Sequence, residues 1–230
     1  MTPDALLLHI ETSTEVCSIA ISKGPHLLSN EQERQGRKHA QWLPLMIESA
    51  RQKASVGLKD LDAVCYSRGP GSYTGLRVGL STAKGLCFGL AKPLIGVPTL
   101  LAMAHSGGEP GPFSLFVPMI DARRDEVYMA VYGPGWQVIA GPESLVLSPG
   151  SLDEWLEKGY SVHLFGDGSV KAKTILKPHE RLNFGPAEAD ARYMIKPGLD
   201  QFNLSRFENL AYAVPEYLKV PNYKKTLINT

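Results

Sequence analysis

The sequence predicts an α/β protein, and three observations carry that prediction. Three short apolar segments follow one another near the start of the chain. Helix-like and strand-like segments then alternate. A glycine-rich turn, Arg68-Gly69-Pro70-Gly71-Ser72, joins one of those strands to a long stretch without proline. In order, Leu6-Leu7-Leu8-His9-Ile10 reads as a buried strand, residues 16–22 as a second and 27–34 as a third. Lys23-Gly24-Pro25 turns the chain between the last two. Their short connections predict an antiparallel meander. A helix is predicted over 38–53, where Trp42, Leu43, Met46, Ile47 and Ala50 recur at helical spacing; Pro44 should kink it or mark its first turn.

A strand at 63–66, a helix at 73–91 and a strand at 94–97 follow. Meander, helix, strand, helix, strand is the order of a ribonuclease-H-like sheet, whose parallel strands need helical crossovers. Ser106-Gly107-Gly108-Glu109-Pro110-Gly111-Pro112 reads as a linker. Beyond it, strands are predicted at 115–120, 126–132 and 136–140, a short helix at 152–158 and a strand at 162–165. Gly166-Asp167-Gly168-Ser169 is a second strand-to-helix turn, and a helix is expected over the tail from Leu204 to Pro215. The second half thus repeats the first in outline. The expected organisation is a first lobe over 1–106, a linker at 107–112, a smaller second lobe over 113–203, and a C-terminal helix and tail over 204–230 that packs back on the first lobe.

Composition narrows the function classes. The chain has 230 residues, 43% of them hydrophobic, with a formal net charge of +1. That balance argues against wholesale nucleic-acid binding, although Arg34, Arg37 and Lys38 form a small basic cluster. No apolar run approaches membrane-spanning length. Met1-Thr2-Pro3-Asp4 carries no export signal, and the tail around Lys224-Lys225 reads as a solvated end. Cys17, Cys65 and Cys87 are odd in number, lie in apolar segments and lack zinc-site spacing. They are read as core thiols of a protein in a reducing cytoplasm.

Two features bear on chemistry. Ser72 stands where a helix N-cap belongs, so the turn can present free N–H groups to an anion, or it can be a close-packed turn. Glu11-Thr12-Ser13 at the end of the first strand can bind phosphate or a metal-bound water, or be a hydroxyl-rich turn held by local hydrogen bonds; the first reading makes Glu11, Thr12, Ser13, Gly71 and Ser72 the candidate nucleotide contacts. The second feature is Gly75, Gly79, Gly85 and Gly89 in one helix, each costing about 0.5–1 kcal/mol against alanine. Close approach of another backbone, inside the chain or from a partner, would offset that. The turn Asp121-Ala122-Arg123-Arg124-Asp125-Glu126 reads as a solvated hairpin or a partner contact. The six histidines show no metal-site spacing, and neither a nucleophile elbow nor a complete P-loop occurs.

Several pieces together resemble the TsaB (YeaZ) family. They are Ile10-Glu11-Thr12-Ser13-Thr14-Glu15, Lys38-His39-Ala40-Gln41-Trp42-Leu43-Pro44, Arg68 through Arg77, Ile95-Gly96-Val97-Pro98-Thr99-Leu100, Ile120-Asp121-Ala122-Arg123 with Glu126-Val127-Tyr128, and Pro215-Glu216-Tyr217-Leu218. The match is dense up to Tyr132 and thin from Trp136 to Asn209. The resemblance implies an actin-like ATPase fold with two related lobes. It implies a non-catalytic adaptor and dimerisation subunit of the complex that makes N6-threonylcarbamoyladenosine in tRNAs reading codons that start with A. Its partners would be the catalytic TsaD-type subunit and a TsaE-type ATPase, with a homodimer when TsaD is absent, tRNA met only through the complex, and no membrane. In the catalytic relative two histidines hold a metal after the strand matching 94–97; Thr99 and Met103 stand there in this sequence. The resemblance further implies docking through the first two helices, on faces bearing His39, Trp42, Leu43, Met46, Gly75, Leu76, Gly79, Leu80 and Lys84. No cofactor is expected in the isolated chain, with room for a nucleotide at the complex surface. The competing expectations are a stand-alone ATPase or small-molecule kinase using Glu11 and the glycine-rich turn, and an RNA-binding module.

Overall fold

A computed structural model describes residues 4–34, 38–186 and 188–219. The first sheet contains β1 (Leu6–Glu11), β2 (Cys17–Lys23), β3 (His26–Glu33), β4 (Ala63–Gly69) and β5 (Leu94–Pro98), in the order β3-β2-β1-β4-β5. The first three run antiparallel, and β4 and β5 run parallel to β1. Between them lie α1 (His39–Ala54) and α2 (Tyr73–Leu90), followed by α3 (Thr99–Ala104). Side chains alternate across a strand, so each strand feeds two layers. Leu8, Ile10, Ile19, Val64 and Tyr66 meet Leu43, Ile47, Leu80 and Ala83 of α1 and α2. Leu7, Ala20, Cys65, Ile95 and Val97 form the opposite layer. All three cysteines are buried free thiols; burial pushes Cys87 up to about 11 and Cys17 up to about 12.

The second sheet holds β6 (Ser114–Asp121), β7 (Glu126–Tyr132), β8 (Val138–Val146), β9 (Ser161–Phe165) and β10 (Leu182–Phe184), with α4 (Asp153–Glu157) and α5 (Asp167–Ile175). Its order is β8-β7-β6-β9-β10, antiparallel for the first three and parallel from β6 to β10. The two sheets therefore share one topology, and the outline duplication expected from the sequence is a duplication of strand order. The third strand of this lobe starts later than expected and is longer, because Pro134–Trp136 first forms a 3-10 turn.

The end of the chain departs from the sequence expectation in two ways. A short 3-10 turn at Ala191–Met194 and α6 (Ile195–Asn203) lie on the first lobe, not the second. Ala191, Met194 and Leu199 complete the layer of Leu7, Cys65 and Ile95, so the chain returns to the first lobe near Asp190 and not after residue 203. Asp190 fixes that return: it is 6% exposed and accepts hydrogen bonds from Gln32 Nε2 (2.6 Å) and the Arg192 amide (2.9 Å). The expected helix over 204–215 is absent. Ser205 takes a left-handed backbone, the Asn209 carboxamide accepts the amides of Ala211 (3.0 Å) and Tyr212 (3.3 Å), and Glu208 bridges to Leu94 at the sheet edge. Side-chain capping of this kind competes with helix formation. Residues 208–219 instead form an irregular strap. Glu216 N donates to Arg68 O (2.8 Å), and Lys219 pairs with Glu126 of the second lobe. Among the described residues no helix is long and apolar enough to cross a membrane. Arg37 and Lys224-Lys225 lie outside the described residues.

Candidate functional site

The glycine-rich turn leaves β4 at Gly69, whose φ of 121° is open to glycine, and enters α2 at Ser72. Ser72 caps the helix as its sequence position predicts, its Oγ accepting the Gly75 amide at 3.2 Å. The five candidate anion contacts come together here. Ser72 N donates to Ser13 O at 2.6 Å, and a Cβ on Gly71 would stand 2.5 Å from that same oxygen. A Cβ on Gly75 would collide with Thr12 O, and one on Gly79 with Thr12 Oγ1. The β1–β2 turn thus packs its own backbone against the start of α2. Glu11 is buried and accepts the Ser13 amide at 2.6 Å; Thr12 N donates to Ser67 Oγ at 3.1 Å. Burial raises the Glu11 pKa, against the hydrogen bonds from Ser13 and Ser67 that lower it. The second lobe repeats the arrangement, with Gly166 and Gly168 pressed on Met119.

The helix faces differ from the expected set. Leu43, Met46, Gly75, Leu76, Gly79 and Leu80 are buried inside this chain, so they are corrected from contact residues to core residues. Their apolar stripe satisfies the first sheet. Trp42 is half-buried against the same core, and His39 Nε2 lies 3.2 Å from Glu15 O. Lys84 donates to Ala211 O of the strap at 3.3 Å. The residues that the two helices expose include Gln41, Pro44, Leu45, Gln52 and Lys53 on α1 and Thr74, Arg77, Ser81, Gly85, Phe88 and Gly89 on α2. Leu45 is 62% exposed and Phe88 82%. A Cβ on Gly85 or Gly89 would meet nothing within 4 Å. Helix geometry carried this signal: six residues past Gly79, Gly85 falls well round the helix from it. The two glycine pairs therefore serve different faces.

Elsewhere, Thr99 is buried and its Oγ1 accepts the Gly69 amide at 3.2 Å, while Met103 sits in the seam core with Leu100 and Phe116. At the charged hairpin, Arg123 and Arg124 take left-handed backbone (φ 73° and 52°) and are exposed, while Asp121 pairs with Lys171 at 2.6 Å. Arg34 is paired with Glu188 at 2.7 Å, which neutralises part of the expected basic cluster. His9 is fully buried against Ser22 Oγ, and desolvation lowers its pKa to about 3.

Comparison with known proteins places these features. The model of one family, described as "TsaD: tRNA N6-adenosine threonylcarbamoyltransferase", matches residues 26–219. The tRNA threonylcarbamoyladenosine biosynthesis protein TsaB of Escherichia coli K12 is 30% identical over 223 residues, covering 93% of this chain and 94% of that protein. A tRNA N6-adenosine threonylcarbamoyltransferase of Symbiobacterium thermophilum is 35% identical over 150 residues, covering 56% of this chain and 44% of that protein. Among solved structures, a Pseudomonas aeruginosa protein described as similar to the peptidase YeaZ superposes with a TM-score of 0.78 at 26% identity. That match covers 94% of this chain and all of the other.

Proposed function

The chain belongs to the TsaB (YeaZ) family, with its actin-like two-lobed fold, and from that we propose that it is the adaptor subunit of tRNA threonylcarbamoyladenosine synthesis. It binds and supports a catalytic TsaD-type subunit and performs no transfer chemistry itself. A TsaE-type ATPase joins the assembly, tRNA is met through the complex, and a second copy of this chain takes the docking face when the catalytic subunit is absent. The compartment is the cytoplasm, in keeping with three buried free thiols. Two observations support the non-catalytic part. The start of α2, where a phosphate would be held, is packed against Thr12 and Ser13. The positions after β5 where the resemblance expects metal ligands carry Thr99 and Met103, both buried in packing roles.

The observation that carries the docking reading is Gly85 with Gly89. Inside the chain nothing requires glycine at either position, yet each costs the helix about 0.5–1 kcal/mol. The neighbouring Phe88 leaves a large apolar ring in water. An incoming helix removes both anomalies, since small residues let its axis come close and the ring supplies the anchor.

Copurification with the cognate TsaD-type subunit tests this. Gly85→Leu is expected to abolish the complex while the isolated chain keeps its circular dichroism and melting temperature. Gly79→Leu is expected to unfold the chain, because its side chain would enter Thr12. A Gly85→Leu chain that still copurifies at wild-type yield would sink the docking reading.

A further inference from the structure

The strap has a fixed root and a lightly held end. The root, residues 208–213, is anchored in the first lobe. Glu208 N donates to Leu94 O (2.8 Å), and the Asn209 carboxamide accepts the Ala211 and Tyr212 amides. Leu210 and Ala213 join the cluster of Leu80, Ala83, Cys87 and Leu94. Beyond Ala213 no described residue of the strap is buried: Val214 and Lys219 are exposed, and the four between them are half-buried.

This end, residues 214–219, touches three separate places. At the glycine-rich turn, Glu216 N donates to Arg68 O (2.8 Å), and the Glu216 carboxylate accepts Arg68 Nε (3.1 Å). A Cβ on Gly69 would collide with Glu216 O, so the bare glycine is what admits the strap backbone. At the first turn of α2, Tyr217 packs on Tyr73 with ring centroids 5.1 Å apart, and its hydroxyl accepts Arg77 Nε (3.1 Å). In the second lobe, Lys219 pairs with Glu126, which Ser144 Oγ also holds at 2.7 Å.

The strength of these contacts decides what the end can do. Both ion pairs reach solvent: the side chains of Arg68 and Glu216 are 37% and 40% exposed, and that of Lys219 is 47% exposed. Exposed ion pairs contribute little and are screened by salt. No buried apolar side chain reinforces them. A segment held this way opens locally, at a free energy well below that of global unfolding. The lobes also meet along a buried seam, where Leu100 and Met103 of α3 join Phe116 and Ile120 of β6, and the strap contributes no residue to it.

We propose that residues 214–219 are a releasable clasp. Engaged, they tie the glycine-rich turn and the start of α2 to the β6–β7 hairpin and hold the two lobes at one angle. Released at the Ala213 root, they leave both lobes folded, with the seam as the joint about which the lobes flex.

The test uses the full chain. Amide hydrogen exchange followed by NMR reads release at the Glu216 amide and global unfolding at the amides of β4. The Glu216 amide is expected to be protected at least about a hundredfold less than those of β4. Lys219→Glu should lower its protection a further threefold to tenfold, roughly, and Lys219→Arg should stay within about twofold of wild type. Tyr217→Ala combined with Lys219→Glu should lower it by about thirtyfold or more, with β4 unchanged in every variant. Lobe angle is read by pulsed electron paramagnetic resonance between spin labels at Lys59→Cys and Glu157→Cys, both exposed, the native cysteines being buried. The distance distribution is expected to broaden in the Tyr217→Ala, Lys219→Glu chain. Equal protection at Glu216 and β4 would mean that the strap leaves only with the whole fold, and it overturns the clasp. So does wild-type Glu216 exchange in the combined variant. Faster Glu216 exchange beside an unchanged distance distribution overturns the hold on lobe angle.

Discussion

Gly79 and Gly85 sit in the same helix and have the same composition, yet they answer to different neighbours. A methyl group at Gly79 runs into Thr12 Oγ1, whereas one at Gly85 points into open space. Gly85→Ala should therefore raise the stability of the isolated chain by about 0.5–1 kcal/mol, and Gly79→Ala should lower it, as read by urea denaturation. His9 gives a second residue-scale expectation. Its pKa falls from 6.5 unfolded to about 3 in the fold, so the unfolded chain binds the extra proton between those values. Stability is then full above pH 6.5 and is lost on acidification by about 1.4 kcal/mol per pH unit. His9→Gln should flatten that slope between pH 6.5 and 4, and an unchanged slope would assign acid sensitivity elsewhere. Glu11 has the opposite sign. Its raised pKa makes the fold bind the proton more tightly, so its contribution declines as pH rises through the folded value. At this scale the sequence revealed which residues were unusual but not which neighbours they faced. Leu43 and Met46 carried the right chemistry for a contact and were claimed by the core.

At the scale of elements, the first half of the chain was legible because its local signals agree. The apolar run of β1, the turn residues after β2, helical spacing in α1 and an N-cap at Ser72 all point one way. Removing that cap with Ser72→Ala should cost about 1 kcal/mol, measurable as a lower denaturant midpoint with little change in slope. The second half was less readable for physical reasons. β10 has three residues, too few for a period to show. α6 carries Pro197 in its first turn, where proline is tolerated but resembles a break. The tail from Leu204 has helix-compatible residues, but Asn209 and the Glu208 bridge hold it irregular. Asp190 was the available clue, an acidic residue placed to accept the Arg192 amide at the start of a helical turn.

For the whole molecule, the decisive long-range element is the returning segment. Asp190 gathers Ser18, Gln32 and Arg192 from parts of the chain far apart in sequence. Asp190→Ala would strand those donors in a buried place and should destabilise the fold by about 3 kcal/mol, with the loss visible in thermal melts. The sequence placed the lobe boundary too late because boundaries were read from linkers, and contacts such as Met194 on Cys65 and Ile95 leave no linker to read. The chain's return has an implication for its birth. Ala191, Met194 and Leu199 are needed to seal the underside of the sheet that starts at Leu6. The N-terminal half therefore leaves the ribosome with an oily surface bare, and it waits for almost the entire polypeptide before that surface is closed. A gene cut at the linker should yield an insoluble first fragment, rescued by co-expression of the remainder.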